Sequence, residues 1–522
     1  MKSIFYTITA LLLVACQRAS VPESYTTSDS LPGIYPDYID VTIPVNIAPL
    51  TFMMDDEVST EMVARLSCGN DEMVLGGNKI QPELDEWHDL LGKAQGKDIT
   101  VEVYARQDGR WTAYRPFALH VSPDNIDPWL SYRLISPSYV AYEELTLNQR
   151  CLENYEERVM VDNMLCSTET EGQCVNCHSY QQYNPGRMLF HARQNLGGTV
   201  VAYDGSLRKV SITGDSILSA GVYPAWHPRL PLVVFSSNRT EQGFHTANHN
   251  KVEVIDDASD LIAYDVERNL VTNIENDPDE FETYPAWAPD GKAVYYCSAH
   301  FVYNDSVERD ADVILRAKEF KYNIYRKSFD PSTMTFEPRE LVFRADSLGM
   351  SATLPRISPD GRFLVFTLGN YGCFHIWHHE ADLWMMDLSE KLKVKSEELN
   401  GESETLNGGN ETCLAAHRMQ GINSDDTESY HSWSSNGRWM VVSSRREDSN
   451  YTRPFIAHID EQGRSTKAFA LPQADPEHHR LFMKCYNIPE FMQGPVEFSP
   501  QEFAKLLRNE NGQPAQYVQS LR

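Results

Sequence analysis

Positive charge is scarce in this chain: 46 Lys and Arg stand against 74 Asp and Glu, a net charge of −28 over 522 residues. Nucleic acids and anionic lipid surfaces are gripped through basic patches, so neither is an expected partner. The sequence also lacks a G-x-S-x-G nucleophile elbow, a P-loop and a dinucleotide-type G-x-G-x-x-G. No hydrolase, phosphate-binding or Rossmann signature is therefore readable. After residue 16 no apolar run is long enough for a transmembrane helix. The region 471–522 leaves no room for a peptidase domain; it reads as a tail with one short helix beginning at Ser499-Pro500.

What is present begins at residue 1. "MKSIFYTITALLLVACQ" has a basic start at Lys2, an apolar run from Ile4 to Val14 and small residues before Cys16. Residues 1–15 read as a signal peptide, too short to span a bilayer. "LVAC" resembles the lipobox of bacterial lipoproteins, which implies a lipid on Cys16; the alternative is an ordinary signal peptide with an incidental cysteine. Residues 16–34, polar and rich in Ser, Thr and Pro, read as a flexible tether. With no acidic cluster straight after Gln17 and Arg18, the expected place is the periplasmic face of the outer membrane, the chain otherwise soluble.

Ten cysteines suit an exported chain. With Cys16 assigned to lipid and Cys174 and Cys177 to a motif, seven remain, an odd number. Cys151 and Cys166 flank one short segment and are the expected disulfide. The motif is "CVNCHS" at 174–179. C-x-x-C-H is the attachment signature of c-type haem: two thiols reach the vinyl groups and the next His lies under the iron. Cys174 and Cys177 would hold one haem c, His178 would be the proximal ligand, and His191 or Met188 the distal one. A thioredoxin-like pair lacks its βαβ context. Zinc on Cys166, Cys174, Cys177 and His178 or Cys151, or a plain disulfide, are the other readings. The segment 151–195 is too short for a cytochrome domain, so it is expected as an insertion at a larger domain's start or rim.

That larger domain shows as a repeat. "YPAWHPRLPLVVFSSN" (223–238), "YPAWAPDGKAVYYCSA" (284–299), "LPRISPDGRFLVFTLG" (354–369) and "YHSWSSNGRWMVVSSR" (430–445) align. In "PDG" and "SNG", Gly supplies a positive φ and Asp or Asn bonds back to the backbone. Strand–turn–strand segments lie between, such as 259–274, 322–330 and 381–390. Short strands recurring in this way describe a β-propeller with loops inserted between strands. The expected fold is all-β: a β-rich domain over 35–150 with a helix near 82–94, then a six- or seven-bladed propeller over 196–470.

The "YPAW-x-PDG" and "DLW-x-x-D" motifs resemble the WD40-like repeats of TolB-type bacterial propellers over roughly 197–470. The whole chain also resembles bacterial lipoproteins that join this propeller to one cytochrome-c-type motif. These resemblances imply fold rather than activity, because such propellers serve as partner platforms, peptidase lids and enzyme scaffolds. Two functions follow as expectations. One is an envelope lipoprotein whose single haem c transfers electrons to a redox partner, with a periplasmic haem oxidoreductase as its enzymatic variant. The other is a non-redox protein-interaction platform with C-x-x-C-H as a disulfide or zinc clip. Further histidines group with acids: His375, His378, His379 and Glu380; His245, His249, Glu253, Asp256 and Asp257; and His300. They read either as a metal or substrate pocket or, more simply, as loop histidines that hydrogen-bond between blades. Only one of the neighbours His378 and His379 could face a given site.

Overall fold

The tight turns fold as their chemistry demands. Gly291, Gly361 and Gly437 take φ of +73°, +78° and +68°. The residue after each glycine donates its amide to the turn's Asp or Asn: Lys292 to Asp290 at 2.9 Å, Arg362 to Asp360 and Arg438 to Asn436 at 3.0 Å. Each turn sends the chain from an inner strand to the next strand outward. The computed structural model describes residues 19–137, 144–166, 174–245, 250–389, 405–407, 415–509 and 511–522.

Six inner strands ring one axis: β1 (Val175–Gln181), β2 (Gly221–Trp226), β3 (Glu280–Trp287), β4 (Ser351–Ile357), β5 (Glu428–Trp433) and β6 (Cys485–Met492). Antiparallel strands extend outward from each. Four sheets stand separately: those carrying β1, β4, β5 and β6. β2 and β3 belong to one nine-stranded sheet, two antiparallel units joined through a single parallel pairing, Ser259 with Phe281. The separate sheets are thus four where the repeat led to six or seven blades, because strand Val252–Asp265 is long enough to reach the next unit.

Each inner strand is kinked at the same place. Pairing slips between Asn176 and Ser179, Val222 and Ala225, Thr283 and Ala286, Thr353 and Arg356, and Glu428 and His431. The strand facing β6 slips between Ser131 and Arg133. These are β-bulges, which bend a strand and re-aim its side chains. Cys177, Tyr223, Tyr284, Leu354 and Ile488 sit at the bends with φ from +47° to +55°, where non-glycine residues are uncommon. The bends are braced by indoles: Trp226 Nε1 donates to the Ser179 carbonyl at 3.3 Å and Trp287 Nε1 to the Ala225 carbonyl at 3.1 Å.

The segment expected as a cytochrome-type insertion is part of this architecture. Thr146–Cys151 and Glu157–Asp162 are strands of the β6 sheet, and β1 pairs with Asn184–Ala192. Alternating apolar residues supply the reason: Val175, Tyr180, Met188, Phe190 and Ala192 are buried in one cluster with Leu147, Met160 and Val161. Cys151 and Cys166 lie in that cluster as free thiols, not as the expected disulfide.

The tail is structural too. β6 is the inner strand against which Trp129–Ile135 pairs. The helix Pro500–Asn509 starts with a capping box: Ser499 and Glu502 exchange bonds, Ser499 N to Glu502 Oε2 at 2.8 Å and Glu502 N to Ser499 Oγ at 3.3 Å. Phe503, Leu506 and Leu507 are buried beneath it.

The N-terminal residues form a seven-stranded sheet with the expected helix at Leu84–Ala94, whose Trp87, Leu90 and Leu91 are buried. Thr26–Thr27, within the stretch read as a tether, adds a parallel edge strand beside Thr112–Ala113. Trp439, Ile456, Tyr486 and Phe491 of the propeller share this sheet's core. No helix among the described residues is long and apolar enough to cross a membrane. Residues 1–15, read from the sequence as a signal peptide, and Cys16 lie outside the described residues.

Candidate functional site: the axial channel

The bulges bring six tetrapeptides around the axis: Cys177-His178-Ser179-Tyr180, Tyr223-Pro224-Ala225-Trp226, Tyr284-Pro285-Ala286-Trp287, Leu354-Pro355-Arg356-Ile357, Tyr430-His431-Ser432-Trp433 and Ile488-Pro489-Glu490-Phe491. The first residues of all six line a constriction enclosing about 30 Å³. The third residues, Ser179, Ala225, Ala286, Arg356, Ser432 and Glu490, line a larger chamber of about 160 Å³. A surface depression of about 400 Å³ shares Gln182 and Pro228 with the chamber.

The C-x-x-C-H residues therefore sit in a blade's inner strand. Cys177 lines the constriction, and burial pushes its thiol pKa up. Cys174 packs against the apolar cluster between two sheets. Both are free thiols. His178 is buried, and burial, with the Arg133 guanidinium adding, pulls its pKa down to about 3. Neither ring nitrogen makes a hydrogen bond of normal geometry, although backbone groups of Ile488 and Ser131 face the ring.

His191 is also buried, with its pKa lowered by burial to about 3. Its Nδ1 lies 2.9 Å from Thr199 Oγ1, and its ring packs on Phe235 of the following unit. Met188 fills the apolar cluster with Phe190. His178 thus faces the preceding sheet and His191 the following one. A haem needs a slot on the scale of a cofactor site, roughly 300–1,000 Å³, between two ligands that face each other. The spaces here are about 30 and 160 Å³, and the proposed ligands face apart. In this arrangement the residues do not fit a haem.

The second histidine group does assemble, around Glu253. Tyr371 donates its hydroxyl to Glu253 Oε1 at 2.7 Å. His245 Nε2 lies 3.1 Å from Oε1, and His378 Nε2 3.1 Å from Oε2. Burial opposes ionisation of Glu253, but the His378 bond and charge, with Tyr371 and His245, hold its pKa below the ordinary value. His375 bonds Thr353 at 3.0 Å and the Tyr371 carbonyl at 3.1 Å. His379 pairs with Asp426 at 2.8 Å, and His300 with Glu280 at 3.3 Å. Asp256 accepts from Asn238 at 2.9 Å and sits beside Cys373, its pKa pushed by burial up to about 7. Asp257 is paired with Arg239 at 3.3 Å. His249 lies outside the described residues. Among the described residues no group of three or more His, Cys, Asp or Glu is disposed to hold a metal ion. His378 and Tyr371 tie the strand Val252–Asp265 to the 370–381 loop, His375 ties that loop to Thr353 of β4, and hydrogen bonding between units is the visible role of these residues.

Sequence reasoning missed Glu490 and Arg356 as neighbours. "IPEF" repeats the apolar-Pro-x-apolar form of "LPRI", a signal present in the tail but overlooked there.

No protein-family model matches the chain, and no curated protein does. Among solved structures it is similar to TolB from Acinetobacter baumannii, at 11% identity over 78% of this chain and 85% of that one, with a TM-score of 0.41. It is similar to prolyl oligopeptidase B from Galerina marginata, at 8% identity over 66% of this chain and 44% of that one, TM-score 0.34. Kuenenia stuttgartiensis hydrazine synthase gives 11% identity, 68% and 91% coverage, and a TM-score of 0.34. At these values none assigns an activity to this chain; the propeller rests on its own sheets.

Proposed function

We propose that this protein is a binding scaffold of the bacterial cell envelope: a propeller of six blades, counting the nine-stranded sheet as two, that presents loops and channel mouth to a protein partner. The observation that carries the reading is the place of Cys177-His178-Ser179-Tyr180. It occupies the same inner-strand position as Tyr430-His431-Ser432-Trp433, so the C-x-x-C-H spacing is accounted for by the blade. A scaffold needs a rigid frame and no catalytic constellation, and rigid propellers carry many unrelated partners on this plan.

Expressed together with a haem-maturation system, the full chain should be colourless, with Cys174 modified faster than the buried Cys177 by a thiol reagent. A product that keeps covalent haem through denaturation would overturn the scaffold reading. It would establish the second reading: haem c on Cys174 and Cys177, His178 as proximal ligand, His191 or Met188 as distal ligand, and electron transfer to a redox partner. That reading has the motif and the poorly bonded His178 ring in its favour, and it requires β1 to leave its sheet.

The anchor is the other half of the proposal. Cleavage before Cys16 and lipidation of its thiol would hold the propeller at the periplasmic face of the outer membrane. Cys16→Ser should move the protein from the membrane fraction to the soluble one; an unchanged distribution would mean that no lipid on this thiol holds the chain.

A further inference from the structure

The chamber wall is uneven in a specific way. Four of its six third-position residues are small, Ser179, Ala225, Ala286 and Ser432, and their size leaves the 160 Å³ space. The other two are Arg356 and Glu490, set on β4 and β6 with Ser432 of β5 between them. Among the described residues Arg356 makes no ion pair; its Nη1 donates to the adjacent Pro355 carbonyl at 3.3 Å. Glu490 Oε1 accepts the Tyr180 amide at 3.3 Å. The two side chains sense each other's charge without forming an ion pair. Both residues are half-buried, and a guanidinium and a carboxyl partly withdrawn from water are costly unless something satisfies them.

We propose that the chamber binds a small zwitterion of amino-acid size, its carboxylate on Arg356 and its ammonium group on Glu490. A guanidinium presents a planar fork that suits a carboxylate. The neighbouring Glu490 disfavours a dianion such as phosphate and offers the ammonium its counter-charge. At about 160 Å³ the space is below the roughly 300–1,000 Å³ of sites for larger ligands, which excludes nucleotides and oligosaccharides. Tyr430 and Trp433 in the wall give the ligand's carbon atoms apolar contact. Burial raises Glu490 to about 7 against the pull of Arg356, so its charge responds to a cation placed beside it. The site goes beyond the scaffold reading and does not depend on which protein meets the rim.

The test is calorimetric titration of the full chain with L-alanine, with acetate as carboxylate alone and with ethylamine as ammonium alone. L-alanine should bind at least about tenfold more tightly than acetate, with ethylamine weakest, since each charged contact contributes on the order of a factor of ten. Arg356→Gln should weaken alanine and acetate alike by about tenfold or more, and Glu490→Gln should erase the advantage of alanine over acetate. No binding of alanine at millimolar concentration, equal binding of alanine and acetate, or an Arg356→Gln variant that is folded by circular dichroism and binds unchanged would each overturn the proposal. If Arg356→Gln does not fold, the three ligands on the unaltered protein and the Glu490→Gln variant decide it.

Discussion

A chain ended at Lys484 should fail to fold. The truncation removes β6, the inner strand that Trp129–Ile135 pairs with, and the helix Pro500–Asn509. Tyr486, Phe491, Met492, Val496, Phe503, Leu506 and Leu507 are all buried. Taking about 1.5–3 kcal/mol for each, their loss is on the order of 10–20 kcal/mol. That rivals the whole net stability of a typical domain, about 5–15 kcal/mol. The hydrogen bonds that Trp129–Ile135 makes to β6 would also lose their partners. Far-UV circular dichroism and limited proteolysis should show a protease-sensitive chain without a cooperative thermal transition. A truncated protein that melts within a few degrees of the full chain would show that the ring closes without β6.

The second large effect concerns Glu282 on β3. Its side chain is fully buried, and neither carboxyl oxygen has a hydrogen-bond partner in the described residues. Burial, then the charges of Glu275, Asp260 and Glu280, push its pKa up to about 9, with Arg339 opposing. The sign follows from linkage. The folded state keeps a proton that the unfolded chain has already released, so stability is greatest below the unfolded pKa of 4.5. It then falls as pH rises towards the folded value. At about 1.4 kcal/mol for each pH unit in that window, the loss from pH 5 to pH 8 is on the order of 4 kcal/mol. Glu282→Met keeps the side-chain volume and should raise the melting temperature at pH 8 while changing it little at pH 4.5. Asp260, Asp256 and Glu490, raised by burial to about 6, about 7 and about 7, act in the same direction but are largely spent a pH unit above those values. The part of the slope above about pH 8 therefore belongs to Glu282. Parallel pH–stability curves for the two proteins would refute this assignment.

Much of the propeller was legible because its signals are local. The turns carry Gly and Asp or Asn at fixed positions, and the bonds they predict are present at 2.9–3.0 Å. Closure of the ring was not legible, because the pairing of Trp129–Ile135 with Cys485–Met492 joins segments at opposite ends of the sequence. Its one cue was "IPEF", a tetrapeptide that, like "LPRI", lacks Trp and Tyr but has no PDG or SNG turn after it. "CVNCHS" shows a different limit. Its spacing spells a haem motif, while "CHSY" also spells the blade tetrapeptide seen again as "YHSW". Spacing alone does not say whether the residues lie on a helical turn or a bulged strand; the positive φ of Cys177 decides that only once neighbouring strands exist. The histidine group around Glu253 was named residue by residue, but which histidine meets which acid depends on a strand and a loop more than a hundred residues apart.

The late position of β6 also sets a clock. The strand Trp129–Ile135 is synthesised some 350 residues before its inner neighbour Cys485–Met492. At about 5–20 residues per second, that is a wait on the order of 20 to 70 s. During this interval Trp129, Leu130, Tyr132 and Leu134, all buried in the finished ring, belong to a strand paired on one side only, with Thr146–Cys151. One edge of that sheet stays open until then, so the propeller becomes proteolytically safe only after its last strand arrives.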